Sequence, residues 1–232
     1  MPKTKKNIYY NVPIQLIAGY MDNSHILSNV IDYAFYNKVI DDYECYEDAD
    51  LELISKEMGI QFSNYPSTFT KGEVLFNQFS IGCPKVGISK IKLFEFRDED
   101  KSDFEKACFL AYLALKSILQ QKAYVKMDNK YLLARMDGKP SSVKSFEELS
   151  SSIYQFANEY QLVKIKNELQ KCWGLKHYSR YTRGFYVSFS MELEILILEA
   201  EKKRKSFKDD QLKQAQKIAL ENVMKRLNAT RA

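Results

Sequence analysis

Residues 102–119, SDFEKACFLAYLALKSIL, decide the class of fold because they combine a helix start signal with a long apolar segment. Ser102 and Glu105 have the spacing of a capping box, in which each side chain binds a free backbone N–H of the first helical turn. The residues that follow are apolar around most of the helix circumference, which is typical of a helix enclosed by protein. The sequence therefore predicts a buried central helix.

The residues before this helix predict a short extended piece, a short helix and then three further helices. Val12 precedes Pro13, which favours an extended backbone followed by a short helix. Ser24 would cap the first long helix, whose inner face carries Leu27, Val30, Ile31, Ala34 and Phe35. A second helix ends at Gly59, a residue that can adopt the left-handed closing conformation.

The third helix and a strand complete this half of the chain. The third helix is predicted to begin near Pro66 to Thr70, and Thr70 and Glu73 have capping-box spacing directly before Val74. From Val86 to Phe96 the apolar residues change to a period of two, which predicts a strand, or a hairpin through Gly87.

The residues after the central helix predict the same order of elements. A strand at 124–127 precedes a short helix, YLLARM, which Asn129 caps and Gly138 closes. Ser145 and Glu148 form another capping box before an apolar face of Leu149, Ile153, Phe156 and Ala157. A helix at 160–173 and a strand at 184–189 follow, and Ser190 would cap a helix that runs to about Arg204.

The spacings of the two halves also agree, which suggests an internal duplication. Ser24 and Gly59 lie 35 residues apart, and Ser102 and Gly138 lie 36 apart. A small residue, Ser55 or Ala134, stands four before each glycine, as the close approach of two helices in a helix-turn-helix requires.

This order resembles the tandem winged-helix replication initiators of plasmids and related mobile elements. The second copy, KYLLARMDGKPSSVKSFEEL, is similar to helix-turn-helix sequences, although Lys144 stands where an apolar residue is expected. The resemblance implies a helix-rich α+β fold with two winged-helix-like domains in tandem, at 1–100 and 101–190, followed by C-terminal helices at 191–232. In such a domain the third helix enters the major groove and the β hairpin touches the backbone. Some other α+β fold is the alternative.

Composition restricts the class of protein. The chain has 232 residues, 45% of them hydrophobic and 28% charged, with only 8 glycines and 5 prolines, so it is a globular sequence and not a disordered or fibrous one. No apolar run approaches the roughly 20 residues that span a bilayer, and the N-terminus lacks the apolar stretch of a signal peptide. We therefore predict a cytoplasmic protein without membrane contact, in which the four scattered cysteines are reduced thiols.

Charge is distributed unevenly along the chain. The first 100 residues hold 10 basic and 15 acidic side chains, whereas the remainder holds 25 and 15. This asymmetry is typical of a chain whose second half meets a polyanion. The extremes are an acidic run at 41–50 and a basic run at 202–208, and either could also be a solvated helix end or loop.

The most informative stretch for function is KCWGLKHYSRYTRGFYVSF, residues 171–189, in which cations alternate with aromatic rings. Cations release counterions from phosphates, and exposed rings can stack on bases, so the composition suits nucleic acid. The alternative is structural, because residues 185–189 also alternate as a half-buried strand does.

Catalytic motifs are missing from the sequence. There are only two histidines, and no cysteine pair has zinc spacing. Gly138–Lys139 lacks the second glycine of a phosphate loop, and no G-x-S-x-G elbow occurs. His177 and Arg180 resemble a fragment of the H-x-x-R element of tyrosine recombinases, but the last tyrosine, Tyr186, is too close to Arg180 for the nucleophile of that family.

The leading hypothesis is a non-enzymatic protein that binds double-stranded DNA without a cofactor or metal, as an initiator or regulator of a mobile element. Its candidate contacts with bases and backbone are Lys139, Ser141, Ser142, Lys144, Ser145, Lys176, His177, Arg180 and Arg183. The alternatives are a protein-interaction or scaffold module with the aromatic cluster as its core, and an enzyme with a carboxylate- or tyrosine-centred site.

The last predicted element is an amphipathic helix at 208–229 with a narrow apolar stripe of Leu212, Ala215, Ala219, Val223 and Leu227. Such a stripe can pack on the chain's own body or on its copy in a second chain. We predict a monomer in which this helix docks on residues 191–201, with dimerisation through 208–229 as the alternative.

Overall fold

A computed structural model describes residues 7–43, 50–79, 82–180 and 184–229. The first half begins with strand β1 (Tyr9–Pro13) and the short helix α1 (Ile14–Ile17), followed by a 3-10 turn at Ala18–Met21. The long helix α2 (Ile26–Asp42) comes next, with α3 (Leu51–Met58), α4 (Tyr65–Phe79), strand β2 (Lys85–Ser89) and α5 (Lys90–Asp98).

The second half begins with the central helix α6 (Asp103–Leu119), strand β3 (Val125–Met127) and helix α7 (Asn129–Met136). A 3-10 turn at Phe146–Glu148 and the four-residue helix α8 (Ser151–Tyr154) precede α9 (Glu159–Cys172). Strands β4 (Lys176–Tyr178) and β5 (Phe185–Ser188) form a hairpin, and α10 (Leu193–Ala229) ends the described chain. Most described residues are helical and the two antiparallel sheets are small, which confirms the helix-rich α+β class.

The central helix forms as its sequence predicts. Ser102 and Glu105 make the reciprocal hydrogen bonds of the capping box. Almost all of the helix from Ala107 to Leu119 is buried. One ring on it, Phe109, stacks on Phe96 at 4.2 Å and meets the edge of Tyr20 at 5.9 Å. Because Phe96 and Tyr20 belong to the first half, the halves share one buried cluster, and the domain boundaries at residues 100 and 190 stay a prediction.

The sheets pair in different ways in the two halves. In the first half, β2 pairs with β1 from the chain start, so Gly87 lies opposite Asn11 inside a strand and not at a hairpin turn. In the second half, strand β3, which lies between α6 and α7 in the chain, pairs with β5 of the β4–β5 hairpin, so the strand order is β3-β5-β4. The described residues of the first half therefore hold no β hairpin after a third helix.

Residues 90–98 are helical, so the prediction of a strand from Val86 to Phe96 is wrong beyond Ser89. The Ser89 side chain accepts a hydrogen bond from the Lys92 N–H and caps α5. Leu93 and Phe96, which are three residues apart, face the core from one side of this helix.

Helix α4 begins at Tyr65, next to the predicted start near Pro66 to Thr70, but the predicted cap at Thr70 is wrong, and so is the helix predicted after Ser145. Thr70 lies inside α4, where its hydroxyl donates to the Pro66 carbonyl, and Asn64 accepts the N–H of Ser67 in the first turn. The capping box at 145–148 forms, but it starts only a 3-10 turn, because the backbone of the next residue, Leu149, is extended. The expected long helix at this place is therefore a turn followed by α8.

The C-terminal segment is one helix of 37 residues instead of two. No glycine or proline interrupts residues 193–229. A continuous helix cannot fold back on itself, so the prediction that 208–229 docks on 191–201 is wrong. Every described side chain from Lys205 to Asn222 is exposed, and the side chains of Val223 and Leu227 lie outside the description. In the part of the chain that the structure describes, no helix has both the length and the apolar character that crossing a membrane requires.

Candidate nucleic-acid interface

Helix α9 is positioned by a strong local start signal and by a narrow apolar stripe. The Asn158 side chain accepts the N–H of Gln161, and Glu159 stands in the first turn, where a negative charge suits the helix dipole. Leu162, Ile165 and Leu169 are buried at spacings of three and four residues. The helix is therefore held by one side and leaves the other to solvent.

The outward side of α9 carries side chains suited to hydrogen bonding with bases and phosphates. Five exposed residues on this side are Tyr160, Val163, Asn167, Gln170 and Lys171, and the exposed Lys164 lies beside them, with its ammonium 4.3 Å from the centre of the Phe104 ring. Tyr160 is 73% exposed, and neither amide forms a side-chain hydrogen bond with any described residue. Asn and Gln side chains can form paired hydrogen bonds with the edge of adenine, and a valine methyl can contact thymine.

The β4–β5 hairpin next to α9 separates its side chains onto two faces. His177 is opposite Val187, and its ring meets the edge of Phe185 at 5.2 Å, so it faces α9. Tyr178 is opposite Tyr186 and turns to the other face, where its hydroxyl donates to Glu201 of α10 at 2.6 Å. Period-two alternation puts Lys176 on this second face as well.

An open cleft of about 750 Å³ lies between α9, the start of α7 and the hairpin. Lys166 projects into it from α9, donates to the Asn129 side chain at 2.7 Å and lies 3.9 Å from the centre of the Phe185 ring. His177 lines the opposite wall. Asp128 and Glu159 provide the acidic groups of the lining.

Two basic side chains of the cleft, His177 and Lys166, are shifted toward their neutral forms. Burial, together with the nearby charge of Lys166, lowers the pKa of His177 to about 4. Burial also lowers the pKa of Lys166 to about 8, although Glu159 opposes the shift. The buried Nε2 of His177 has no hydrogen-bond partner among the described residues. An anionic group entering the cleft would stabilise the charged form of both side chains.

The residues predicted at 139–145 lie in the loop after α7 instead of on a long helix. The Lys139 ammonium pairs with Asp137 at 2.9 Å and also contacts the Glu148 carbonyl, so it serves the loop itself. Ser145 caps the 3-10 turn. Ser141, Ser142 and Lys144 are exposed, and the loop reaches the edge of the cleft where Lys130 donates to the Lys144 carbonyl.

The basic residues predicted in the hairpin have different positions. His177 faces the cleft, and Lys176 is half-buried on the opposite face of the sheet. Arg180 is exposed, and its guanidinium lies 3.6 Å from the Glu201 carboxylate. Arg183 lies outside the described residues.

Sequence analysis did not select the outward face of α9. The available signal was Asn158 before Glu159, followed by Asn167 and Gln170 on the side opposite the apolar stripe. The same spacing also suits a helix that serves packing alone, because Leu162, Ile165 and Leu169 form a complete inward stripe. The glycine-closed turn after α7 is as predicted, since Gly138 has a φ of +74° and a Cβ there would lie 2.7 Å from the Ala18 Cβ.

Comparisons with protein-family models, with curated proteins and with solved structures find no match for this chain. A search of the described residues for three or more His, Cys, Asp or Glu side chains that could hold a metal ion finds no such group. The cleft and the α9 face carry cations, amides and rings, which can bind anions and base edges, beside the carboxylates of Asp128 and Glu159.

Proposed function

We propose that this protein is a non-enzymatic double-stranded DNA-binding protein that contacts bases through the outward face of α9. The observation that carries the proposal is that face, on which amides without side-chain hydrogen bonds adjoin a hairpin rich in cations and rings. Such a face has no packing role in the described chain, but it has the chemistry that major-groove recognition uses.

The order of elements supports this use of α9. Residues 103–188 contain α6, α7 and α9 followed by the β4–β5 hairpin, which matches the winged-helix plan of three helices and a hairpin. Helix α8 is then an insertion between the second and third helices. In this arrangement α9 would enter the major groove and the hairpin would contact the backbone.

The predicted contacts divide into two kinds. Asn167 and Gln170 would bind base edges, because a side-chain amide can donate to and accept from one base together. Lys171, Lys166 and His177 would bind backbone phosphates, as would Arg180 and Arg183 of the hairpin. Lys144 and the serines at 141 and 142 would contact backbone next to the cleft.

The biological process that we propose is replication initiation or regulation in a plasmid or other mobile element, with the protein acting in the cytoplasm. The support for this process is only the similarity of element order to such initiators, and the first half of the chain does not repeat the hairpin. A protein-interaction module without nucleic-acid binding is the alternative that the experiments below separate.

The first experiment selects duplexes from a random pool with the full-length protein and measures their affinity by fluorescence anisotropy. We expect about four to six phosphate contacts, which give a slope of roughly −4 to −5 in a plot of log K against log salt. Binding that is absent at low salt, or that does not change with salt, would contradict the DNA proposal and favour the interaction module.

The second experiment separates base contacts from phosphate contacts. N167A and Q170A should each change the order of preference among selected sequences, whereas K171A should weaken all duplexes alike and reduce the salt slope by about 1. Q214A and K217A are matched controls, because they remove the same exposed side chains from α10. If the controls and the α9 variants behave alike, α9 does not contact bases.

A further inference from the structure

A second cavity lies on the other face of the three-stranded sheet, away from the α9 cleft. It is a groove of about 700 Å³ between the sheet and α10. The sheet contributes Lys126 and Tyr186, which are register partners on adjacent strands, and α10 contributes Lys203, Arg204, Phe207 and Lys208. We call this feature the α10 groove.

The α10 groove is strongly cationic. Four of its lining side chains are Lys or Arg, and among the lining residues Asp210 alone is acidic. Glu201, one turn earlier, is already engaged by the Tyr178 hydroxyl at 2.6 Å and by Arg204 at 2.9 Å. The remaining positive charge favours a polyanionic occupant.

Aromatic rings lie next to these cations in the α10 groove. Phe207 is 63% exposed on the helix side, and on the sheet side the Tyr186 ring lies 6.3 Å from that of Tyr124. Lys203 lies 4.5 Å from the centre of the Tyr124 ring, and Lys126 lies 5.9 Å from that of Tyr186. A flat apolar ring left open beside several cations offers a stacking surface within reach of phosphate contacts.

The α10 residues that line the groove form two rows along the helix. Lys203, Phe207 and Gln211 follow one another four residues apart, so they form one row on the helix, and Arg204 and Lys208 form the neighbouring row. The Glu201 carboxylate accepts the Tyr178 hydroxyl and lies 3.6 Å from the Arg180 guanidinium, and these two contacts hold this part of the helix against the hairpin.

We propose that the α10 groove is a separate binding site for single-stranded nucleic acid, with phosphates on its lysines and a base stacked on Phe207. A single strand is favoured over a duplex because its bases are free to leave their own stack and lie on a protein ring. The site is distinct from the α9 face, which the proposed function assigns to duplex DNA.

The test uses the full-length protein and a fluorescently labelled ten-nucleotide oligo(dT), with binding followed by anisotropy. F207A should weaken binding at least about fivefold, since loss of one stacked base has an effect of this size. The matched control is L212A, which removes another exposed apolar side chain of α10 outside the groove. Circular dichroism verifies that both variants are folded.

Charge is tested separately from stacking. The double variant K203A/K208A should lower the affinity for oligo(dT) and flatten its salt dependence, and K213A/K217A on the same helix should not. If oligo(dT) does not bind, or if F207A and L212A bind it equally, the proposal is wrong.

The two sites are distinguished by exchanging ligands and variants. F207A should leave the affinity for a selected duplex unchanged, and N167A should leave the affinity for oligo(dT) unchanged. A single-strand affinity that falls in N167A but not in F207A would place the strand on α9 and overturn the groove proposal. A Phe207-dependent single-strand affinity without any duplex binding would instead overturn only the proposed function.

Discussion

His177 is the side chain whose chemistry depends most on its surroundings. Its ring is packed between Phe185 and the cleft wall, with the Lys166 ammonium as the neighbouring charge on α9. The neutral form is therefore the stable one in the folded protein. A histidine in the sequence does not reveal this, because the same residue type at position 25 is exposed.

This environment makes the stability dependent on pH. Since the pKa of His177 is about 4 in the folded protein and about 6.5 in an unfolded chain, the unfolded chain gains a proton first as the pH falls from 6.5 to 4. The free energy of unfolding should then fall by on the order of 1 to 2 kcal/mol, after allowance for partial exposure of the ring. Urea unfolding at pH 7 and pH 4.5 measures this change.

The comparison that isolates His177 uses two variants. H177Q should lose less stability than the wild type between these pH values, whereas H25Q, at an exposed histidine, should follow the wild type. Identical pH dependence in all three proteins would mean that His177 is not held neutral in the fold.

Among the secondary-structure elements, the pair α2 and α4 shows how one residue permits a close helix contact. A Cβ at Gly72 would lie 2.3 Å from the Asp32 carbonyl oxygen and 2.6 Å from the Tyr36 Cβ. Neither atom is the end of a flexible side chain, so the helices would have to separate.

G72A should therefore destabilise the protein by about 1 to 3 kcal/mol, although alanine favours a helix over glycine by about 1 kcal/mol. Chemical denaturation measures the change. N77A, at an exposed position of the same helix, should leave the stability unchanged or slightly raised. A stabilised G72A would show that α2 and α4 do not pack this closely.

At the scale of the whole molecule, the two halves meet around Phe109. The ring contacts Phe96 and Tyr20, and the Tyr20 hydroxyl donates to the Phe96 carbonyl at 2.6 Å. F109A should cost about 3 to 5 kcal/mol and shift one common unfolding transition of both halves. Hydrogen exchange measures protection in each half. Loss of protection in residues 103–188 alone would instead support separate domains.

The exposed end of α10 leads to a different expectation for truncation. Because no described side chain from Lys205 to Asn222 is buried, deletion of residues 212–232 should leave the melting temperature of the body unchanged. Thermal unfolding at several protein concentrations measures it. A melting temperature that falls on truncation and depends on concentration only in the full-length protein would identify α10 as a dimerisation element.

Local signals were sufficient for the elements that depend on neighbouring residues. The capping box of α6 and the left-handed closure at Gly59, with a φ of +65°, were predictable because their hydrogen bonds lie within a few residues. The buried stripe of α9 was predictable for the same reason, since helical spacing alone puts Leu162, Ile165 and Leu169 on one side.

Other signals were ambiguous because more than one structure satisfies them. The apolar residues from Val86 to Phe96 suit a strand, but the protein uses a strand only as far as Ser89 and then a helix against the core. The capping box at Ser145 is formed, but whether it starts a helix or a single turn depends on Leu149, which is buried in an extended conformation.

The sequence by itself determined the helix-rich α+β class, the buried central helix and the ends of α3, α6 and α9, because these follow from side-chain periodicity and from hydrogen bonds between near neighbours. Only the tertiary structure decided which helix faces solvent with its amides unbonded, which face of the hairpin holds His177, and that the halves share a core. These properties depend on contacts between residues far apart in the chain, and such contacts leave no periodic pattern in the sequence.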